Sequence, residues 1–130
     1  MTGRLNGRDA VAPANEGGFR VDEIWFDSVV VVAVSGALDL LTAPVLIEAV
    51  NAAVQKSPTG VIVDLSKVGF LASTGMNVLV ATQRDLAPAT RFAVVADSPM
   101  TSRPIKLLGL DTVLSMFPTL PAALQSLTGA

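Results

Sequence analysis

Three short runs of β-branched and apolar residues constrain the fold of this chain more than any other feature. They are VVVVAV at residues 29–34, GVIVDL at residues 60–65 and RFAVVA at residues 91–96. Apolar residues at consecutive positions are typical of strands that are covered on both faces. Segments with helical spacing separate the runs, so the strands are expected to pair in parallel through right-handed crossovers. The sequence therefore predicts an α/β fold.

The other segments extend this pattern to a mixed, mostly parallel sheet of about five strands with about four helices. FRVDEIWF at residues 19–26 predicts a half-buried edge strand, and TVLSMF at residues 112–117 predicts a short last strand. Helix signals predict four helices: one capped by Thr42 with Pro44 in its first turn, one over residues 76–87, one from Ser98 or Ser102 to Gly109, and one capped by Thr119.

Residues 1–18 combine Gly, Asn, Pro and Ala with scattered charges and show no hydrophobic period. Such a segment cannot bury enough apolar surface to offset its ordering entropy, so we expect a disordered tail over 1–18 and one domain over 19–130. It also lacks the apolar core of a signal peptide. The longest apolar run, residues 29–34, is much shorter than the ~20 residues of a membrane helix. A cytoplasmic protein outside the membrane is the expectation.

The absence of certain residue types excludes several classes of function. The chain contains no Cys, His or Tyr, which removes thiol chemistry, nearly all zinc sites and the base of a Ser-His-Asp triad. Nine basic residues are scattered along a chain of net charge -2, so no nucleic-acid footprint is visible. We therefore predict no catalytic residues, no metal ligands, no cofactor and no nucleic-acid partner.

Polar residues collect in three segments that follow the predicted buried strands, where ligands and partners of α/β sheets usually bind. The segments are SGALDLLT, DLSKVGFLASTG and ADSPMTS, and their polar residues are Asp39, Asp64, Ser66, Ser73, Thr74, Asp97 and Ser98. Structural roles are an alternative for several of them. Asp39, Thr42 and Ser98 could cap or precede helices, and Asp64 could hold its own turn by side-chain to backbone bonds.

Ser73 lies among small residues, Ala72 to Gly75, immediately before a predicted helix. A plain helix cap is one interpretation. The other is a surface that another molecule approaches closely, because small side chains leave the backbone N–H groups of a helix start accessible. A phosphate-binding loop would need further glycines and a lysine, and a hydrolase elbow would need flanking glycines and a histidine. Lys67 as an unusual base matches no known spacing, so an enzyme is not expected.

Two segments resemble a known family. VSGALDLLTAPVL is similar to the G-x-L-D-x-x-T-A-x-x-L segment of STAS domains, the anti-sigma factor antagonists and their transporter-linked relatives. VIVDLSKVGFLASTGMNVLV resembles the family core D-L-S-x-V-x-F-[LM]-D-S-[ST]-G-[LM]-x-x-L, and SPMTSRPIKLLGL and MFPTLPAAL are similar to its weaker C-terminal pattern. The similarity extends over nearly everything from Phe19 onward.

The resemblance implies a single STAS domain and a non-enzymatic switch protein. Such a protein binds an anti-sigma factor, usually one with a kinase-like ATP fold, and so releases a sigma factor for transcription. It further implies that Ser73, or alternatively Thr74, is a phospho-acceptor. The expected partner-binding residues are Asp39, Asp64, Ser66, Ala72, Ser73, Thr74, Gly75, Met76 and Ser98.

At one position of the core motif the chain departs from the family. Ala72 stands where the family has an aspartate before the serine. That carboxylate could help a kinase orient the acceptor, so its absence predicts slow phosphorylation of Ser73. The alternative function is a STAS module that binds a small ligand, such as a nucleotide, within a larger regulatory assembly.

Overall fold

The computed structural model describes residues 18–128. The tail predicted over 1–18 therefore lies outside the described residues, apart from Gly18. The strands are β1 Arg20–Phe26, β2 Val29–Leu38, β3 Gly60–Leu71, β4 Arg91–Val95 and β5 Met116–Phe117. The helices are α1 Ala43–Val54, α2 Ser73–Leu86, α3 Ser102–Leu107 and α4 Leu120–Leu127, and a 3-10 helix spans Leu110–Thr112.

The strands form one sheet in the order β1-β2-β3-β4-β5. β1 runs antiparallel to β2, and the other neighbouring strands pair in parallel. This mixed sheet with its four α-helices confirms the predicted α/β fold over the described residues. Because the parallel strands all point the same way, the segments that follow β2, β3 and β4 meet at one edge of the sheet, which is called the carboxyl edge below.

The two faces of the sheet are covered unequally. One face buries alternate residues such as Val30, Val32 and Val63 in the larger core, to which α1 and α2 contribute. On the other face, α4 packs over β3, β4 and β5 and contacts β-sheet residues such as Ile62 and Val95. Each fully buried Val or Ile contributes roughly 1.5–3 kcal/mol to folding, so these consecutive apolar runs account for the sheet's central position.

β3 is longer than the sequence pattern predicts and contains two β-bulges. Ala33 pairs with Asp64 and Ser35 with Lys67, so β3 has one extra residue there, and a second extra residue is Gly69. Buried positions consequently shift from every second residue to every third, as at Leu65, Val68 and Leu71. The segment predicted as a loop after GVIVDL is therefore strand up to Leu71. β2 likewise continues through the first half of the predicted loop SGALDLLT, to Leu38.

Other predicted boundaries are confirmed or corrected by the hydrogen bonds. Thr119 Oγ1 accepts a bond from the Ala122 N–H, which confirms the α4 cap. Gly109, with φ +71°, ends the α3 segment as predicted, and α3 starts at the second of the two proposed residues, Ser102. The last strand is much shorter than TVLSMF because a 3-10 helix extends to Thr112 and a turn follows it before Met116.

The edge strand β1 is more exposed than predicted. Ile24 and Phe26 are 43% and 40% exposed, because α4 does not extend over this side of the sheet. Its Glu23 is fixed by the Lys56 ammonium at 2.7 Å and by the Trp25 indole N–H at 2.6 Å. Lys56 follows α1, so this pair joins the hairpin to the end of that helix.

Candidate functional site

The start of α2 is fixed to the carboxyl edge by the backbone. The Ala72 N–H donates to the Leu38 carbonyl at 2.9 Å, which links β2 to the residue before the helix. The Met76 N–H donates to the Ala72 carbonyl at 3.1 Å, the first bond of the helix. Ser73 is the first helical residue, and it is exposed. Its position relative to the sheet is therefore set by rigid elements on both sides.

The N-terminus of α2 has no side-chain cap. Ala72 occupies the N-cap position with φ -83° and ψ 166°, the extended backbone in which Ser, Thr, Asp or Asn would accept a bond from the helix. Alanine has no acceptor, so the N–H groups of Ser73, Thr74 and Gly75 have no intrahelical partner and the positive end of the helix dipole is uncompensated. No acidic residue lies in the first turn to reduce this partial charge.

Gly75 is small for a reason inside the protein. It is buried, and a Cβ placed on it would lie 2.8 Å from Leu38 Cγ and 2.9 Å from Leu71 Cδ1. Only glycine lets the first turn of α2 approach the ends of β2 and β3 this closely. Met76 is also a core residue, with 5% exposure. These two predicted partner-binding residues thus form the floor beneath Ser73, and a molecule bound at the surface would not contact Gly75 directly.

Thr74 differs from Ser73 in accessibility. Its Oγ1 atom is buried and has no hydrogen-bond partner among the described residues. A buried hydroxyl without a partner costs roughly 1–3 kcal/mol. The Ser73 side chain is therefore accessible from solvent as it stands, whereas the Thr74 hydroxyl is accessible only after it turns outward.

The loop between β2 and α1 is held by Asp39. Its Oδ1 atom accepts bonds from the Leu41 N–H at 3.0 Å and the Thr42 N–H at 3.2 Å, as expected for a residue that precedes a helix. The Thr42 side chain does not cap α1; its hydroxyl donates to the Ala37 carbonyl at 2.7 Å and accepts from the Asp39 N–H at 2.9 Å. The loop holds Leu40 and Leu41 outward, at 72% and 84% exposure.

The loop after β4 has a similar construction. Ser98 Oγ accepts a bond from the Met100 N–H at 3.0 Å, and the Ser98 carbonyl accepts bonds from the N–H groups of Thr101 and Ser102. Ser98 therefore holds the turn that leads into α3, the structural role that was the alternative for it. Met100 is 57% exposed as a result.

Together these segments define a carboxyl-edge surface, which consists of Leu40, Leu41, Ala72, Ser73 and Met100. Its apolar members, Leu40, Leu41 and Met100, were not predicted from the sequence, because only polar residues marked the candidate sites in the loops. The signal that could have revealed the leucines is their position: two adjacent leucines between the end of β2 and the start of α1, in a loop where burial is not expected.

Asp64 and Ser66 lie apart from this surface. Asp64 Oδ1 accepts a bond from the Ser66 N–H at 2.9 Å, which holds the first bulge of β3 and agrees with the structural alternative for Asp64. Asp64 and Leu71 pair with Ala33 and Leu38, which are five residues apart in β2, a distance of roughly 17 Å. The Asp64 and Ser66 side chains line a different cleft of about 430 Å³, beside Arg20 and Lys67 on the part of the sheet that α4 leaves open.

Two further properties concern residues 18–128 as a group. Residues 18–128 contain no cluster of three or more acidic, His or Cys residues that could hold a metal ion. Among the same residues, none of the helices has the length and apolar character required to cross a membrane.

The family model of the STAS domain matches residues 25–123 of this chain. The chain belongs to the STAS domain family, in the group of anti-sigma factor antagonists. Anti-sigma-F factor antagonist RsfB of Mycobacterium tuberculosis is 41% identical over 103 residues, which are 79% of this chain and 84% of that protein.

Solved structures show the same relationship. An anti-sigma factor antagonist from Mycobacterium paratuberculosis is 42% identical, with a TM-score of 0.82 over 92% of this chain and 99% of that one. The unphosphorylated form of the anti-sigma factor antagonist SpoIIAA has a TM-score of 0.69 at 21% identity, over 87% of this chain and 98% of its own. The second similarity concerns the fold alone.

Proposed function

We propose that this protein binds an anti-sigma factor through the carboxyl-edge surface and thereby releases a sigma factor, with Ser73 as the phospho-acceptor that ends binding. The observation that carries the proposal is the exposed Ser73 on an uncapped helix start, at the same edge of the sheet as exposed Leu40 and Leu41. The names of the relatives support the class of partner. The partner is expected to have a kinase-like fold.

The apolar residues supply the attraction in this proposal. Leu40 and Leu41 are 72% and 84% exposed, among the most exposed large apolar residues of the described chain. Burying each leucine against a partner contributes up to roughly 1.5–3 kcal/mol, so the pair could anchor a complex. Asp39 fixes the loop in advance, which reduces the entropy lost when the leucines are immobilised.

The phosphate supplies the repulsion. Phosphorylation of Ser73 adds a charge of about -1.5 to -2 beside these leucines. The uncapped start of α2 tolerates the charge, so the fold is retained. A docked partner would have to desolvate it without a compensating cation, which costs several kcal/mol at an interface. Thr74 is a poorer acceptor because its Oγ1 atom is buried.

We also propose that the protein is regulatory and has no enzymatic activity of its own. The chain has no His or Cys to serve as a base or nucleophile, and the surface holds no pair of titratable groups with opposed environments. Its place of action is the cytoplasm, because a sigma factor and RNA polymerase meet there.

Titration calorimetry with each purified anti-sigma factor encoded in the same genome tests the function. We expect one of them to bind the parent and Ser73→Ala equally, and to bind Ser73→Glu at least tenfold more weakly, which is ~1.4 kcal/mol. Ser126→Glu is the matched control, since Ser126 is exposed on α4, away from the carboxyl edge. Undiminished binding of Ser73→Glu would remove Ser73 from the interface, and no binding by the parent would refute the function.

A further inference from the structure

A groove of about 290 Å³ lies between α1 and α2, outside the carboxyl-edge surface. Its floor is apolar, its rims are polar, and Asp85 is its one charged lining residue among those the structure describes. It is lined by Ile47, Val50, Asn51, Asn77, Val78, Ala81, Thr82 and Asp85. Ile47 leaves 43% of its surface exposed along one wall. The groove thus combines unpartnered apolar surface with groups that can form hydrogen bonds at its margin.

The dimensions of the groove suit a helix better than a small molecule. Its volume is at the lower end of the ~300–1,000 Å³ of ligand pockets, and exposed residues such as Asn51 and Asn77 border its open side. Along α2 it extends from Asn77 to Asp85, eight residues or about 12 Å. That length corresponds to slightly more than two turns of a bound helix, which can place apolar residues at i, i+3 or i+4, and i+7 on the floor.

The groove begins where the carboxyl-edge surface ends. Ile47 follows the first residue of α1, Ala43, by four positions, and Asn77 follows Ser73 by four positions. Four helical residues rise about 6 Å, so on both helices the groove starts about one turn below the edge. A partner seated over Leu41 and Ser73 would therefore reach the groove without a long extension. This proximity makes the same partner the natural occupant.

We propose that the groove binds an amphipathic helix of the anti-sigma factor, with a Lys or Arg of that helix opposite Asp85. The inference rests on the proposed function and adds a second contact region to it. The apolar floor would receive the apolar face of the helix, and Asn51 and Asn77 would bond to its polar flanks. Because the groove is separate from Ser73, it would contribute affinity and partner selection, while Ser73 controls release.

Two pairs of variants test the groove with the anti-sigma factor that binds the parent in calorimetry. Ala81→Trp fills the groove, and Ala52→Trp makes the same change at an exposed position of α1 outside it. Asp85→Lys reverses the lining charge, and Glu48→Lys makes the same reversal at an exposed residue that does not line the groove. Circular dichroism melts establish which variants fold. Since Asp85 is exposed, its variant is expected to fold even if Ala81→Trp does not.

We expect Ala81→Trp to weaken binding at least tenfold, Asp85→Lys to weaken it three- to tenfold with a loss that shrinks at high salt, and both controls to bind like the parent. A basic-to-acidic substitution in the partner's helix should restore binding to Asp85→Lys. If the folded groove variants bind like the parent while Ser73→Glu does not, the groove inference is wrong and the proposed function stands. If no anti-sigma factor binds the parent, both are wrong.

Discussion

The missing cap of α2 makes the stability effect of Ala72→Asp calculable from the structure. Ala72 already has the backbone conformation of an N-cap residue, so a carboxylate there can accept the N–H of Thr74 or Gly75 without a change of backbone. An N-cap contributes about 1 kcal/mol over alanine, and a negative charge at the helix start about 0.3–1 kcal/mol more. We expect Ala72→Asp to raise the free energy of unfolding by ~1–2 kcal/mol.

Urea unfolding followed by circular dichroism measures this difference. For a domain of this size the gain corresponds to a rise in melting temperature of very roughly 4 °C per kcal/mol. Ala72→Asn separates capping from charge, because it caps without charge, and Ala72→Glu carries the charge with a side chain that caps poorly. The expected order of stability is Asp, then Asn, then the parent, with Glu gaining only the dipole part. Equal stability of the Asp and Glu variants would refute the capping argument.

The same substitution bears on phosphorylation of Ser73. A carboxylate at position 72 would restore a charge-assisted hydrogen bond, worth ~1.5–3 kcal/mol, whereas its repulsion of an exposed phosphate costs under ~1 kcal/mol. We therefore expect a cognate kinase to phosphorylate Ala72→Asp at least tenfold faster than the parent. A radiolabel time course on both proteins measures the rates. Equal rates would show that the kinase does not read position 72.

Two further predictions concern stability. Gly75→Ala gains about 1 kcal/mol of helix propensity but places a methyl group against Leu38, which costs about 1–3 kcal/mol. We expect the free energy of unfolding, measured in urea, to fall by up to ~2 kcal/mol. Gly69→Ala is the control without such a clash, and equal effects of the two substitutions would contradict the packing argument. Burial raises the pKa of Glu23, but hydrogen bonds from Lys56 and Trp25 and the Lys56 charge outweigh it and hold the pKa below its ordinary 4.5. The folded pKa of Glu23 is thus below the unfolded one, so this stabilisation is present above pH 4.5 and is lost as the pH falls through the folded pKa. On acidification below pH 4.5, Lys56→Met should lose less stability than the parent. Identical profiles of stability against pH would show that the Lys56–Glu23 ion pair does not stabilise the fold.

The sequence predicted the sheet because its signal is local and strong. Runs such as residues 29–34 admit few environments other than a strand between two layers, and the order of elements then determines parallel pairing. Thr119 and Gly109 were also predictable, since a cap and a left-handed residue act on their immediate neighbours. The position of Ser73 at the start of a helix followed from the same kind of local reasoning.

The parts of the site that depend on tertiary packing were not predictable. The small size of Gly75 is required by Leu38 and Leu71, which lie on other elements, so the sequence suggested an outward role for it instead. Thr42 had the residue type of a cap, but tertiary geometry directs its hydroxyl back to Ala37. The bulges in β3 break the alternation of buried residues, and a broken alternation is indistinguishable from a loop in sequence alone.

The paired bulges of β3 also restrict how this segment can change in length. Each bulge adds one unpaired residue to β3 and keeps the facing of the residues beyond it, so Leu65, Val68 and Leu71 all face the core while Phe70 stays 54% exposed. Deleting Gly69 alone would remove the unpaired residue and leave Phe70 outward and Leu71 inward, whereas an extra residue between Phe70 and Leu71 would turn Leu71 outward and move the start of α2 away from Leu38. Removing one residue from each bulge would preserve the phase. Single deletions are therefore tolerated at the unpaired residues of the bulges and not at the paired residues between them, a pattern that homologous sequences can be checked against.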